Sequence, residues 1–380
     1  MENEKMITII LKIGMMALIV ILVATSSDLN ASDWWKKIKI NGDFRYRHET
    51  TDKENNDIRH RQRIRARLNI IGQVSDETKI VLGISAGSDD PVSSNQTLTN
   101  AFSSKKLLLD MAYFEMNLTA VPGLKLIGGK AKNQFYRPGK SELIWDSDLR
   151  HEGVAINYSR KLNNLSINII GAGLWIQERK ADNDSYLAGG QTFFIYNLFD
   201  KKGTITLGGS YFSYGNIKGF PTFYDSEEKK GNTVMPIASG TNTTYNYSTN
   251  FELIEVFGTF DFKAGQIPVT IMGDYVTNTA TDSLNNGWLV GFRIGKIKEP
   301  SSWALRYTYR NLGADAVVGA FTNSDFGGGG TDAKGHEIGG NYQLMDNTTL
   351  ALTYFNNQIE LENENKTDYQ KWQIDLKFKF

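Results

Sequence analysis

Five arginines occupy every second position of one stretch, Arg59, Arg61, Arg63, Arg65 and Arg67, and from Ile64 onward the alternate residues are apolar: Ile64, Ala66, Leu68 and Ile70. A period of two is strand geometry, so the segment carries a cationic ladder on one face and a greasy surface on the other. Neighbouring guanidinium groups on that face would stand roughly 6 to 7 Å apart, with about 0.6 kcal/mol of repulsion per pair even in water. Such a ladder cannot be stacked into a dry core; it needs water or counter-charge beside it. A β-structure wet on the inside and apolar on the outside is above all a transmembrane antiparallel β-barrel.

The N-terminus supports an exported chain. Lys5 and Lys12 precede an apolar run from Ile13 to Ala24 that ends in small residues, Ala24, Ser26, Ser27 and then Ala31. This pattern reads as a secretory signal over residues 1–31, with cleavage after Ala31, Ala24 or Ser27, in preference to a membrane anchor spanning Met6 to Ala24. Residues 32–380 are then the barrel. Beyond the leader no apolar window of helical membrane length exists. The 36 Gly, 17 Tyr, 20 Phe and 7 Trp against only 7 Pro favour strands and tight turns. Lys plus Arg and Asp plus Glu are equal at 42 each, so net charge names no partner, and with no Cys there are no thiolate metal sites, disulfides or Cys nucleophiles.

Alternating segments of about ten residues recur along the chain, sixteen of them from 36–48 to 368–380; eighteen become possible if the stretch 215–250 hides a hairpin around Tyr245 to Tyr247. Short connections carry turn chemistry at 75–77, 121–123, 200–203 and 345–347. Long ones at 88–104, 134–150, 215–250 and 312–334 are expected on the external side, opposite both termini, with the Gly327 to Gly330 run as a flexible tip. Trp303, Leu305, Tyr307 and Tyr309 mark one lipid-facing surface, and Trp372, Ile374, Leu376, Phe378 and Phe380 another, with Gln373, Asp375, Lys377 and Lys379 turned inward. In segment 105–118 the run Leu107-Leu108-Leu109 hides the phase, and Asp110 and Glu115 cannot share a face without a bulge. Sixteen strands leave an aqueous lumen, whereas eight fill with side chains.

Several stretches carry a family resemblance. The terminal Lys377-Phe378-Lys379-Phe380 resembles the signal, centred on Phe378 and Phe380, by which the barrel-assembly machinery recognises outer-membrane barrels. Gly42-Asp43-Phe44-Arg45-Tyr46-Arg47, the arginine strand, Gly129-Lys130-Ala131-Lys132-Asn133-Gln134-Phe135, Leu143 to Leu149 and Glu152-Gly153-Val154 resemble the putative porins of Gram-negative outer membranes. The resemblance implies a general-porin-like homotrimer with the third external loop folded into the channel.

Under that reading the third loop brings Glu142, Asp146 and Asp148 toward a wall of Arg45, Arg47, Arg61, Arg63, Arg65 and Arg67, creating a transverse field that selects by charge and width. The same carboxylates could instead pair with the arginines and simply hold the loop. Further lumen candidates are Asp43, Arg293, Arg306 and Arg310, with Asp274, Glu337 and Asp375 as inward acids. The basic excess predicts passive diffusion of small hydrophilic solutes with mild anion preference. Alternatives are a substrate-specific channel, for which Phe193, Phe212 and Tyr214 are inward aromatics, and a plugged surface or scaffold barrel. Arg59 and His60 lie near enough to the mouth to meet lipopolysaccharide phosphates.

Enzyme signals are poor. Gly83-Ile84-Ser85-Ala86-Gly87 matches a nucleophile elbow in spacing, but that motif needs a strand-to-helix turn and here continues an alternating strand. His48, His60, His151 and His336 lack metal-ligand spacing and read as rim residues. No nucleotide-binding loop, cofactor or nucleic-acid surface is indicated.

Overall fold

The computed structural model describes residues 36–198, 202–362 and 366–380. The proposed export segment 1–31 and residues 200–201 of the 200–203 turn lie outside them. The alternating segments form strands β1 (Ile38–Lys53), β2 (Arg59–Gln73), β3 (Thr78–Ala86), β4 (Gln96–Thr97), β5 (Leu107–Asn117), β6 (Leu124–Lys132), β7 (Arg150–Leu162), β8 (Leu165–Gln177), β9 (Ser185–Leu198) and β10 (Gly203–Gly215). They continue as β11 (Val234–Ser239), β12 (Asn242–Tyr247), β13 (Glu252–Ala264), β14 (Ile267–Asn278), β15 (Asn286–Gly295), β16 (Trp303–Leu312), β17 (Ala333–Met345), β18 (Thr348–Ile359) and β19 (Thr367–Lys379).

Strands β11 and β12 form a separate hairpin, and β4 is a two-residue strip laid on β2. The remaining sixteen strands pair with their sequence neighbours, and β1 pairs antiparallel with β19 from Asp43↔Lys379 to Lys53↔Tyr369, which closes the sheet into a barrel. The hairpin foreseen around Tyr245 therefore exists without enlarging the wall.

Period two sets the faces. On β19, Trp372 and Ile374 are 45% and 47% exposed while Lys371, Gln373 and Asp375 are each 2% exposed, so apolar residues point to lipid and charged ones to the interior. On β5 the register slips: Gly83 pairs with Met111 and Ile84 with Leu109, leaving Asp110 as the extra residue of a bulge. The bulge keeps Leu107 and Leu109 on the exposed outer surface, buries Met111, and lets Glu115 meet Lys79 and Lys125 at 3.0 and 2.6 Å.

The interior of the long-loop end is packed. Residues 216–251 and 313–332 interlock through Asn232, whose amide donates to the carbonyls of Ala314 (2.6 Å) and Val317 (2.8 Å) and accepts from the Gly319 N–H at 2.7 Å. Buried Ile217, Phe223, Tyr247, Val317, Val318 and Ala320 join one apolar cluster with inward residues of the wall such as Leu253, Val276 and Leu312. The Gly327 to Gly330 run is not a loose tip. All four glycines have positive φ, Gly327 donates to Asn357 Oδ1 at 2.9 Å, and a Cβ on Gly330 would lie 2.3 Å from the Lys230 carbonyl oxygen.

Candidate functional site

The alternation that puts aromatics on lipid puts Arg45, Arg47 and Glu49 of β1, Arg61 to Arg67 of β2 and Lys371, Asp375 and Lys377 of β19 on one stretch of inner wall. Glu49, fully buried, lies 3.9 Å from Arg47, 3.4 Å from Arg63 and 3.5 Å from Lys371, and accepts a hydrogen bond from Arg61. Asp375 takes Arg47 Nε at 2.6 Å and Lys377 at 3.4 Å. Asp43 pairs with Arg65 at 2.7 Å and Arg67 at 3.5 Å. Eight cations share five carboxylates here, the other two being Asp148 and Asp325 from loops, so the patch keeps a positive excess. Counter-charge, rather than water alone, is what allows the ladder to stand.

The third external loop, between β6 and β7, reaches this patch by a circuit of the lumen. Phe135 packs edge-on against Phe212 at 4.8 Å between ring centres, and Tyr136 stacks on Phe193 at 4.7 Å. Gln191 clamps the Tyr136 peptide, accepting from its N–H at 2.6 Å and donating to its C=O at 3.0 Å. A short 3-10 turn, Pro138–Lys140, follows; a Cβ on its Gly139 would strike Met272 of β14. Arg306 and Arg310 of β16 then donate to the carbonyls of Lys140 and Glu142 at 3.4 and 3.3 Å. The loop ends at Asp148, which meets Arg67 at 3.0 Å and Arg65 at 3.6 Å and accepts from Ser94 Oγ at 3.1 Å. It lies inside the barrel, along the wall.

Of the three loop acids expected to face the arginine wall, Asp148 alone reaches it. Glu142 pairs with Arg137 at 3.5 Å and caps the Ser147 N–H at 3.0 Å. Asp146 accepts from the N–H groups of Asp148 (2.7 Å) and Ser324 (2.9 Å), tying the third loop to residues 313–332. At Asp148 the loop and the wall meet as an ion pair in contact, the arrangement in which a carboxylate holds the loop to the arginines. Burial pushes Glu142 up from the ordinary carboxylate value, and burial with Glu142 and Asp148 nearby pushes Asp146 well up. Burial also opposes ionisation of Asp148, but Arg67, then Arg65 and Arg45, outweigh it and hold the carboxyl below its usual range.

The remaining candidates fall in several places. Arg293 donates to Thr270 Oγ1 at 3.4 Å, and Arg306 stands 4.0 Å from Glu337. Arg310 is 2% exposed, with its guanidinium 3.9 Å over the Phe326 ring, so it is packed rather than solute-facing. Asp274 is buried on β14. Phe193, Phe212 and Tyr214 face inward but belong to the apolar cluster under the loops, so they do not form a free aromatic slide. His151 is not a rim residue, for its ring lies edge-on to Trp145 at 4.9 Å and to Phe135 at 6.0 Å. Ser85 is the penultimate residue of β3, paired with Arg67 and Leu108, and among the described residues no helix follows the strand. Phe378 tilts against Phe44, and Phe380 exchanges hydrogen bonds with Gly42 at the seam. Among the described residues no group of three His, Asp or Glu is placed to hold a metal ion.

Three residues that sequence reading passed over, Glu49, Lys371 and Asp325, complete the site. Glu49 was visible in principle, two positions beyond Arg47 on the same face. Asp325, which pairs with Arg47 at 3.2 Å and Lys371 at 2.6 Å, comes from a loop 278 positions away from Arg47 and left no local signal. Ser93 and Asn95, from the segment that carries β4, add acceptors for Arg63 and Arg45.

Comparison with known proteins agrees with this architecture. Among solved structures, OprB of Pseudomonas putida superposes with a TM-score of 0.58 at 8% identity over 91% of this chain and 94% of its own. OmpF of Salmonella typhi, in a complex with daunomycin, gives 0.52 at 13% identity over 90% and 97%. A triple mutant of the Rhodopseudomonas blastica porin gives 0.51 at 10% identity over 90% and 100%. At these identities the likeness is one of fold. No curated protein matches the chain in sequence. The family model described as "Putative porin" matches residues 50–380. With that match spanning most of the chain and a closed sixteen-strand wall around a charged interior, the chain belongs to the putative porin family, channel-type barrels of the Gram-negative outer membrane.

Proposed function

We propose that the channel passes small hydrophilic solutes by passive diffusion with a mild preference for anions. The observation carrying this reading is the positive excess of the wall patch together with the partial exposure of Arg61, Arg63, Arg65 and Arg67, whose side chains retain 11 to 22% of their surface. A charged constriction that still meets water selects by sign and width, without bond-making. Residues 1–31 serve as the export signal, Phe378 and Phe380 as the recognition end for assembly, Arg59 and His60 as contacts to lipopolysaccharide, and the functional unit is a homotrimer.

The test is the reversal potential of the refolded protein in planar bilayers under a salt gradient, repeated after Arg63→Ala and Arg65→Ala. An anion-directed potential that shrinks in both variants supports the reading; cation selectivity in the parent protein overturns it. A plugged barrel is the second reading, favoured by the apolar cluster that unites the long loops. Silent bilayers with folded protein would select it.

A further inference from the structure

The turn Pro138–Lys140 of the third loop presents a cation to the lumen. Lys140 has φ +65, in the left-handed region that a long side chain rarely adopts. Its backbone is held from two sides, with its N–H donating to the Arg137 carbonyl at 3.1 Å and its own carbonyl accepting from Arg306 at 3.4 Å. The main chain therefore does the anchoring. The Lys140 side chain is exposed and, among the described residues, has neither an ion pair nor a hydrogen bond.

Below the turn lie more cations than carboxylates. Gly139 packs over Met272 of β14, next to the inward Thr270, whose hydroxyl accepts from Arg293 of β15 at 3.4 Å. Arg293 and Arg306 stand directly opposite each other on β15 and β16, a destabilising relation for like charges. Among the described residues Arg306 meets one carboxylate, Glu337 at 4.0 Å, and Arg293 pairs with none. Burial, then the charges of Arg293, Lys379 and Arg306, hold the Lys140 ammonium below its ordinary value, so it stands in the field of all three. Glu142 is taken by Arg137, and Asp261 accepts from the Thr270 hydroxyl. The four cations Lys140, Arg293, Arg306 and Lys379 thus share two carboxylates, Glu337 and Asp261, and two positive charges are left over.

We propose that Lys140 and Arg293, with Arg306 beside them, bind a compact doubly charged oxyanion of the sulfate or hydrogen-phosphate kind. The site deepens the reading of the lumen as an anion-preferring, water-filled path and rests on it. The ammonium offers three donors, and the Arg293 guanidinium has N–H groups beyond the one on Thr270, so a tetrahedral oxyanion can accept from both. Arg306, turned to the Lys140 carbonyl and Glu337, positions the turn and adds charge. A dianion cancels the excess at one centre, where chloride cancels half of it and a dicarboxylate divides the same charge between two ends. The site is separate from the arginine wall: β17 and β18 intervene before β19, and the inward positions level with Arg306 are Gly339 and Thr353.

The test is equilibrium dialysis of radiolabelled sulfate against the refolded protein in lipid nanodiscs, with empty nanodiscs subtracted. Saturable binding is the expected result, displaced by hydrogen phosphate at similar concentration and by chloride or succinate only at concentrations about tenfold higher or more. Lys140→Gln and Arg293→Gln each weaken binding about tenfold, the loss of one charge-assisted hydrogen bond. Arg63→Ala and Arg65→Ala, on the wall, leave it unchanged; heat-modifiable electrophoretic mobility verifies that each variant is folded. No saturable binding by folded protein, undiminished binding in folded Lys140→Gln, loss of binding in the wall variants, or displacement by succinate ahead of phosphate overturns the proposal. Because binding is read without current, its failure leaves the bilayer test of selectivity standing, and a cation-directed reversal potential beside saturable sulfate binding defeats the selectivity reading alone.

Discussion

Asp148, the last acid of the third loop, lies 3.0 Å from Arg67 on β2, and this contact ties the end of a loop that has travelled round the lumen back to the arginine wall. Arg65 at 3.6 Å and Ser94 at 3.1 Å complete its surroundings. Asp148→Ala leaves two largely buried guanidiniums sharing Asp43. Removing one member of a buried pair costs about 3 kcal/mol, at the low end of the range because these side chains keep some solvent contact. The expected outcome is a lower thermal midpoint in heat-modifiability assays together with larger, noisier single-channel currents. An unchanged current with a lowered midpoint would mean that the loop limb is held elsewhere.

Glu49 shows the opposite role of a wall carboxylate. It is fully buried and shared by Arg47, Arg61, Arg63 and Lys371. Glu49→Gln keeps the shape and deletes one negative charge, so the patch becomes more positive while its cations lose their common partner. Stability should fall by about 3 kcal/mol, as for other broken buried pairs. The reversal potential should move further toward anions. A shift toward cations would remove the patch from the permeation path.

The barrel itself was legible because one rule, alternation, repeats through every strand, and errors of phase announce themselves. Leu107-Leu108-Leu109 made Asp110 and Glu115 irreconcilable on paper, and the bulge at Asp110 is the physical resolution. The arginine wall was legible for the same reason. The counter-charges were less so. Glu49 shares the period of Arg45 and Arg47, whereas Asp325 and Asp148 reach the wall from loops whose paths depend on tertiary packing of Phe135, Tyr136 and Trp145 against distant strands. Loops carry no period, so Glu142 and Asp146 looked equivalent to Asp148 in sequence although only one of the three meets an arginine of the ladder.

Acid should act on the loops in a fixed order. Asp148 and Asp325 both have depressed folded values, Asp325 because Lys371 and then Arg47 overcome its burial. Their stabilisation is complete above the unfolded carboxylate value of about 3.9 and is lost as pH falls through the depressed folded values. Glu142 and Asp146 are raised, so they take up protons first, which relieves rather than breaks their surroundings. Conductance should therefore stay steady from pH 7 to about pH 4, with loop release only in stronger acid. Channel opening or closing centred between pH 5 and 6 would contradict this order.

The lid formed by the two longest loops depends on Asn232. Its side chain is 3% exposed and makes hydrogen bonds to Ala314, Val317 and Gly319, all within 2.8 Å. Asn232→Ala strands the Val317 carbonyl and the Gly319 N–H in a buried site, at about 1 to 3 kcal/mol for each, while the Ala314 carbonyl keeps its bond from Thr331 Oγ1 at 2.7 Å. The barrel wall, whose ladders do not involve this residue, should survive. The loops should part, exposing the chain beside Lys229 and Lys230. Limited trypsin digestion of the protein in proteoliposomes should then cut the variant near these lysines at least tenfold faster than the parent, the factor expected when local opening becomes easier by about 1.4 kcal/mol. Equal cleavage rates would show that the apolar cluster around Val317 and Phe223, and not the amide, holds the lid.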